Sequence, residues 1–352
     1  MVLAQAPRDG EGEGAMSERP LWSAQRLTSL AQAYWPACAL QAAVQTGLTA
    51  ELAKGPAAPQ ELASRLGLDG RGLGMLLTAL VHLEVAVAEE GRYYLHPEAQ
   101  PFLSPDSGRD LSNAVLHMAD MVADWAQLAQ CVRTGRPVER PEPAGGGPSP
   151  QRAHFYRAMR DLARQQAPGL AARLGLEPGQ RLLDLGGGPG VYACTFAAEV
   201  PGLEAAVFDL PGAREHFQEE RRQHPGAEGV EFLAGDYRKD PLGGPYHVVW
   251  LSQVLHGAGP AECRRLVDAA AGALAPGGVL WVQEFIVDPT GQGHVFPALF
   301  GLNMLVNTSE GRSYTRDEIA AMMASAGLEE PSCQGPTAEG APAQLMRAAK
   351  PA

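Results

Sequence analysis

Apolar residues recur at helical spacing from Leu21 to about Pro101. Residues 37–52 are so rich in Ala, Leu and Val that they predict a helix buried nearly all round. Pro59-Gln60-Glu61 marks a helix start, and Asp69 is placed to cap a further helix through Leu76, Leu77 and Leu80. Residues 85–87 and 92–95 then flank Glu89-Glu90-Gly91 and predict a hairpin. Helix, helix and hairpin make a winged-helix pattern. Further helices are expected over 110–173, around a proline- and glycine-rich surface loop at 136–150. Within them Leu116, Met118, Met121, Trp125 and Leu128 form an apolar stripe. Such a stripe reads as core, or through its methionines as the wall of an adaptable pocket.

From Gly179 onward the pattern changes. Strands are predicted at 181–185, 204–208, 230–234, 247–252 and 279–285, with helices at 191–199, 213–223 and 261–274 between them. A helix over 316–326 and a last strand over 343–349, able to pair antiparallel, complete the series. The expected fold class is α/β, an open and mostly parallel sheet with helices on both faces. The chain divides into a disordered segment 1–20 and a winged-helix-like domain 21–108. Connecting helices and loop 109–174 come next, followed by a sheet domain 175–352. Met16 reads as an alternative start.

Composition narrows the functions. Lys plus Arg total 28 against 40 Asp plus Glu, a formal net charge of −12. Such a chain repels a phosphate backbone. The second helix of the winged-helix segment is also too apolar, and too poor in Lys and Arg, to enter a major groove. No nucleic-acid partner is expected. The 5 Cys residues are scattered with no C-x-x-C pair, which points to reduced thiols in the cytoplasm and to no metal site. No signal peptide and no membrane-spanning run is apparent.

The candidate chemistry lies at the ends of successive strands. Leu183-Asp184-Leu185-Gly186-Gly187-Gly188-Pro189-Gly190 follows a strand and opens a helix. Its glycines permit a tight turn and close approach of a ligand to the backbone, and the helix N-terminus offers free N–H groups. A pyrophosphate or an amino-acid carboxylate suits it. Gly188 to Ala193 satisfies G-x-G-x-x-A, so a nicotinamide dinucleotide stays open. Asp209 at the second strand end suits the ribose of either ligand. Pro189 removes a donor that a pyrophosphate would use. At the third strand end, Asp236 is placed to accept from an adenine amino group and Tyr237 to stack on the base. The plainer alternative for Asp236 is a cap on the next turn.

Taken in order, these motifs give the chain a strong likeness. From about Trp22 to Ala349 it resembles the O-methyltransferases of the caffeate and acetylserotonin type, with closer likeness to their bacterial members. The matching residues are Leu182 to Gly190, Phe208-Asp209-Leu210-Pro211, Gly235-Asp236-Tyr237, Val254-Leu255-His256 and Pro276-Gly277-Gly278, then Leu302-Asn303-Met304-Leu305 through Gly311-Arg312-Ser313-Tyr314-Thr315. The resemblance implies a class I, Rossmann-like methyltransferase whose N-terminal segment forms a homodimer. It implies S-adenosylmethionine as cofactor, S-adenosylhomocysteine as product and a small-molecule methyl acceptor. The cofactor residues it implies are Asp184, Gly186, Gly188, Gly190, Asp209, Leu210, Asp236, Tyr237 and Ser252. The acceptor-pocket candidates are Met121, Trp125, Phe155, Met159, Phe300, Asn303, Met304 and Asn307. Their apolar character points to an aromatic or polycyclic acceptor.

Methyl transfer to a hydroxyl needs alignment and removal of a proton. His256 lies just past the fourth strand, and imidazole suits a general base, although a helix-capping His would also sit there. The resemblance assigns the base to His256 and an orienting carboxylate to Glu284. Several positions depart from the plant members. Gly257-Ala258 replace an acid and a tryptophan, and Ser313 stands for a second orienting Glu, with Glu310 close by. Ser252 stands for a lysine and His247 for an acid. Carbon methylation, non-methylating cofactor chemistry and a non-enzymatic winged-helix regulator are the competing readings.

Overall fold

The computed structural model describes residues 22–139 and 150–352. The expectations for segment 1–20, and for most of the loop at 136–150, fall outside them. The described residues form two compact units, divided after Ala119.

The first unit contains α1 (Ala24–Ala31), α2 (Tyr34–Gln45), α3 (Leu48–Ala53), α4 (Pro59–Leu66), α5 (Gly70–His82), β1 (Ala86–Glu89), β2 (Arg92–Leu95) and α6 (Gln100–Leu103). Helix α7 (Ser112–Asp120) runs to its end. Local chemistry accounts for several boundaries. Pro59 opens α4, and Glu61 accepts the Ala58 N–H at 3.2 Å. Asp69 accepts the Gly72 N–H at 2.8 Å and caps α5. The hairpin turns through Glu90 and Gly91, both with positive φ (49° and 76°).

The long buried helix expected at 37–52 is in fact two, broken at Gly47 (φ 74°). Of its residues only Ala43, Val44, Leu48, Thr49 and Leu52 are buried within the chain. Large apolar side chains on α1 and at the start of α2 stand exposed, among them Leu27, Leu30, Tyr34 and Trp35. The stripe from Leu116 to Leu128 is likewise no single core face. It breaks between α7, α8 (Val122–Trp125) and α9 (Leu128–Thr134), and Met118 is exposed.

In the second unit α10 (Pro150–Gln166) and α11 (Leu170–Leu174) precede the sheet domain. There follow β3 (Arg181–Leu185), α12 (Val191–Glu199), β4 (Glu204–Asp209), α13 (Arg214–Arg221), β5 (Glu231–Ala234) and β6 (Tyr246–Ser252). The chain continues with α14 (Pro260–Ala273), β7 (Leu274–Glu284), α15 (Val295–Asn307), α16 (Arg316–Ser325), β8 (Glu329–Pro336) and β9 (Gln344–Ala349). The sheet order is β5-β4-β3-β6-β7-β9-β8. Pairing is parallel from β5 to β7, and antiparallel at β7/β9 and β9/β8.

Alternation along the strands feeds two cores. Leu182, Val207, Val248, Trp250 and Trp281 pack with α11, α12 and Phe217 of α13 on one face. Leu183, Phe208, Val249, Leu251, Leu280 and Val282 pack with α14 and α16 on the other. Edge strand β8 was not anticipated. It carries Pro331 and Pro336, and Glu330 has a φ of 51°, features tolerated only at a sheet edge. Among the described residues no helix is long and apolar enough to cross a membrane. Nor do three or more His, Cys, Asp or Glu side chains gather there as a metal site.

Candidate active site

Strand order reverses between β3 and β6, which run parallel on either side of the switch. Parallel sheets bind ligands outside the carboxyl ends of the strands at such a point. The glycine loop leaves β3 there, and Ser252 to His256 leave β6 beside it.

The loop geometry depends on glycine. Gly186, Gly188 and Gly190 have φ of 74°, 54° and 76°. A Cβ on Gly190 would fall 2.6 Å from the Phe217 ring, and one on Gly187 would fall 2.5 Å from the Asp184 carboxyl carbon. A Cβ on Gly188 would meet nothing within 4 Å, so the loop is open on that side. Asp209 braces it: Oδ2 accepts from the Gly188 N–H at 2.7 Å and Oδ1 from the Leu210 N–H at 2.6 Å. Burial pushes the Asp209 carboxyl up, and those two donors pull against it.

Asp184 is buried beneath the loop. Its Oδ2 accepts weakly from the Ala193 N–H at 3.4 Å, and its Oδ1 has no hydrogen-bond partner among the described residues. Burial pushes this carboxyl up to about 7. A buried orphaned acceptor beside an open glycine loop suits the ammonium of an amino-acid ligand.

Asp236 follows β5. Its Oδ1 accepts the Arg238 N–H at 3.0 Å, and the Arg238 guanidinium grips both oxygens at 2.8 and 2.9 Å. That grip holds the carboxyl well below the usual range. The turn-capping arrangement is therefore present, and a ligand reaching Asp236 must compete with Arg238. Burial pushes the neighbouring Tyr237 phenol up.

His256 lies in a short 3₁₀ turn, Leu255–Gly257, and does not cap α14, whose N-cap is Gly259. Its Nδ1 is 2.8 Å from Glu284 Oε1. Glu284 is wholly buried and also accepts the backbone N–H of Phe285 at 2.9 Å and of His256 at 3.3 Å. In the neutral tautomer that carries hydrogen on Nδ1, His256 donates to Glu284 and leaves the Nε2 lone pair free. The Phe300 ring stands edge-on to the imidazole at 4.8 Å, and Phe285 lies parallel at 6.4 Å. Phe285 and Phe296 close an aromatic group with Phe300, at 4.7 and 5.7 Å. Ser313 spends its hydroxyl on the Pro297 carbonyl at 2.6 Å, and Glu310 lies against Gly259.

Helices α8 and α9 pack on α15. Trp125 Nε1 donates to Asn303 Oδ1 at 2.8 Å, and Asn307 Nδ2 donates to the same oxygen at 3.0 Å. The structure thus gathers Trp125, Asn303 and Asn307, and separately Phe300 with His256. Met304 is buried at 7% exposure. Phe155 and Met159 stand one turn apart on α10, with Phe155 edge-on to Tyr156 at 5.6 Å. Met121 precedes α8 and is half-buried.

Sequence reasoning missed three features here. Phe285 and Phe296 follow no motif. Gln253 adopts φ 57°, unusual for a residue with a side chain, and both its amide atoms are buried without a partner among the described residues. Arg238 reads as surface charge, and its side chain stays more than half exposed while turning back two residues onto Asp236.

Comparison with known proteins assigns the chain to a family. Residues 125–329 match the O-methyltransferase domain family, and residues 28–105 match the O-methyltransferase dimerisation domain. The chain is similar to 3-hydroxy-5-methyl-1-naphthoate 3-O-methyltransferase of Streptomyces sahachiroi, at 32% identity over 86% of this chain and 89% of that one. It is also similar to acetylserotonin O-methyltransferase of Bos taurus, at 30% identity over 88% and 93%. The fold superposes on human N-acetylserotonin methyltransferase in complex with S-adenosylmethionine with a TM-score of 0.82, at 24% identity, covering 96% of this chain and all of that one. The chain belongs to the S-adenosylmethionine-dependent O-methyltransferases of the acetylserotonin and caffeate type, class I enzymes with an N-terminal dimerisation domain. S-Adenosylmethionine is its cofactor and S-adenosylhomocysteine its product, which sets aside the dinucleotide and the regulator.

Proposed function

We propose that this enzyme methylates a hydroxyl of a small aromatic or polycyclic metabolite, with His256 as the general base. The observation that carries the reading is the His256–Glu284 pair at 2.8 Å, set against the rings of Phe285 and Phe300. When bound, the cofactor supplies a methyl group on a sulfonium, already activated for transfer. The chain's own work is to hold two molecules in line and to take one proton. Asp184, the loop Gly186 to Gly190, Asp209 with Leu210, and Ser252 line the cofactor side, with Asp236 and Tyr237 at its far end. His256 Nε2 receives the acceptor proton, and the buried Glu284 carboxylate stabilises the resulting imidazolium through Nδ1–H. The aromatic group, with Trp125, Asn303, Asn307, Met121, Phe155, Met159 and Met304, supplies the acceptor wall. The experiment is incubation with isotopically labelled S-adenosylmethionine and a panel of naphthols and polycyclic phenols. An O-methyl product, located by mass spectrometry and NMR, supports the reading. A C-methyl product overturns it.

The enzyme acts as a homodimer, a reading supported by the matched dimerisation domain and by Leu27, Leu30, Tyr34 and Trp35, each more than half exposed in the single chain. Light scattering showing a monomer at micromolar concentration would count against it. Likeness to a Streptomyces enzyme supports a place in the bacterial branch. The unpaired thiols of Cys38, Cys131, Cys194, Cys263 and Cys333 support a cytoplasmic setting.

A further inference from the structure

Beside the base and its carboxylate runs a second line of polar groups. Ser252 and Gln283 are register partners at the ends of β6 and β7. The Ser252 hydroxyl donates to Gln283 Oε1 at 3.2 Å, and Gln283 Nε2 donates to Gln166 Oε1 at 2.7 Å. Tyr192 stands in the first turn of α12 behind the glycine loop, and burial pushes its phenol up to about 12. Gln283 is completely buried, among strand neighbours as apolar as Trp281 and Val282. Packing alone would be better served there by Leu or Met, since a buried carboxamide must be matched donor for acceptor.

The line has one direction. Each member donates onward, from Ser252 to Gln283 to Gln166, and Gln166 ends α10. A group donating to Ser252 Oγ polarises every later bond in the same sense. The same helix is fastened to α13, just beyond Asp209: Arg164 Nε donates to buried Glu220 at 3.0 Å, and Tyr156 stacks on His216 at 4.6 Å. Helix α10 also carries Phe155 and Met159.

We propose that Gln283 is a positioning residue that ties the placement of α10 to occupancy of the cofactor cleft, so that cofactor binding readies the acceptor wall. This rests on the reading of Ser252 as a cofactor-side residue. A donor of the bound nucleoside, its ammonium or a ribose hydroxyl, engages Ser252 Oγ. Gln283 then holds Gln166 and the end of α10 against β7.

Hydrogen exchange read by mass spectrometry on the full-length protein tests this, with S-adenosylhomocysteine as probe and calorimetry to fix its affinity. In the wild type, saturating S-adenosylhomocysteine should slow exchange in α10 by about five-fold or more. In Gln283→Leu the ligand should still bind, within about three-fold of wild-type affinity, and the slowing in α10 should disappear. Gln166→Leu, at a half-buried position, should do the same and decides the matter where Gln283→Leu does not fold. The double variant should lose no more than either single one. Unchanged slowing of α10 in the ligand-bound variants overturns the proposal, as does a wild-type α10 that ignores bound ligand. Failure of the wild type to bind S-adenosylhomocysteine at all would instead overturn the cofactor-side reading on which it rests.

Discussion

Asp209 and Phe300 are held in place in different ways. Asp209 ends a central strand, and its two oxygens are fixed by backbone N–H groups of the glycine loop and of Leu210. Its position follows from the sheet register and from glycine conformations within the same strand–turn–helix unit. Phe300 sits mid-helix on α15, positioned by other rings, Phe285 and Phe296, and by the imidazole of His256. A side built from backbone and carboxylates tolerates little change and suits an unvarying ligand. A side built from side chains on separate helices can be refitted one residue at a time. With Asp209 on the cofactor side and Phe300 on the acceptor side, as proposed, that contrast matches one cofactor and a range of acceptors.

The sharpest way to break the comparison is at His256. His256→Ala should lower turnover by about 10²–10⁴-fold, the usual contribution of a general base. Affinity for S-adenosylhomocysteine, measured by calorimetry, should stay near wild type. Glu284→Gln should cost less, because it keeps a hydrogen-bonding group while losing charge. Turnover unchanged in His256→Ala would mean that the acceptor arrives ionised or that carbon is the nucleophile.

Asp209→Ala should produce the opposite pattern. Two hydrogen bonds to a charged group vanish from the loop, each worth about 1.5–3 kcal/mol. Affinity for S-adenosylhomocysteine should therefore fall by about 10²-fold or more. A loss of less than about five-fold would deny Asp209 the bracing role assigned to it.

Asp184 sets a smaller, pH-dependent effect. With no ligand, burial pushes its carboxyl up to about 7, from 3.8 for an exposed aspartate. Between those values the folded state holds a proton that the unfolded state has lost, so its contribution to stability declines as pH rises toward 7. Pairing with a ligand ammonium requires the ionised form. Binding of S-adenosylhomocysteine below pH 7 should release a proton and weaken about ten-fold per pH unit. Calorimetry in buffers of different ionisation enthalpy reads that proton directly. Asp184→Asn should remove the dependence, and proton release that persists in it would place the titrating group elsewhere.

The smallest effect is expected at Asn303. Asn303→Leu leaves Trp125 Nε1 and Asn307 Nδ2 without their shared acceptor, a loss of about 1 kcal/mol. KM for the acceptor should rise a few-fold, with cofactor affinity untouched. A change in cofactor affinity would show that the two sides are not separable at this residue.

Much of the sheet was legible because strand and helix periods in an α/β unit are local. Strand β3 and helix α12 begin and end where the pattern predicts. Edge strand β8 was not legible: its prolines and the turned Glu330 read as loop, and only pairing with β9 makes it a strand. The predicted long helix at 37–52 overreached for a related reason. Apolar composition reports that a segment will be covered, and within one chain much of this one is not.

The sequence by itself determined the alternation of strands and helices from β3 to β7, the glycine loop and the acids at successive strand ends, because each depends on contacts within a few residues of chain. Only the tertiary structure decided that Glu284 stands 2.8 Å from His256 Nδ1, that Phe285 and Phe296 join Phe300, and that Gln283 reaches Gln166. The pairs His256–Glu284, Phe285–Phe300 and Gln283–Gln166 join residues far apart in the chain. Their distances are set by how strands stack and helices pack, which no local pattern encodes.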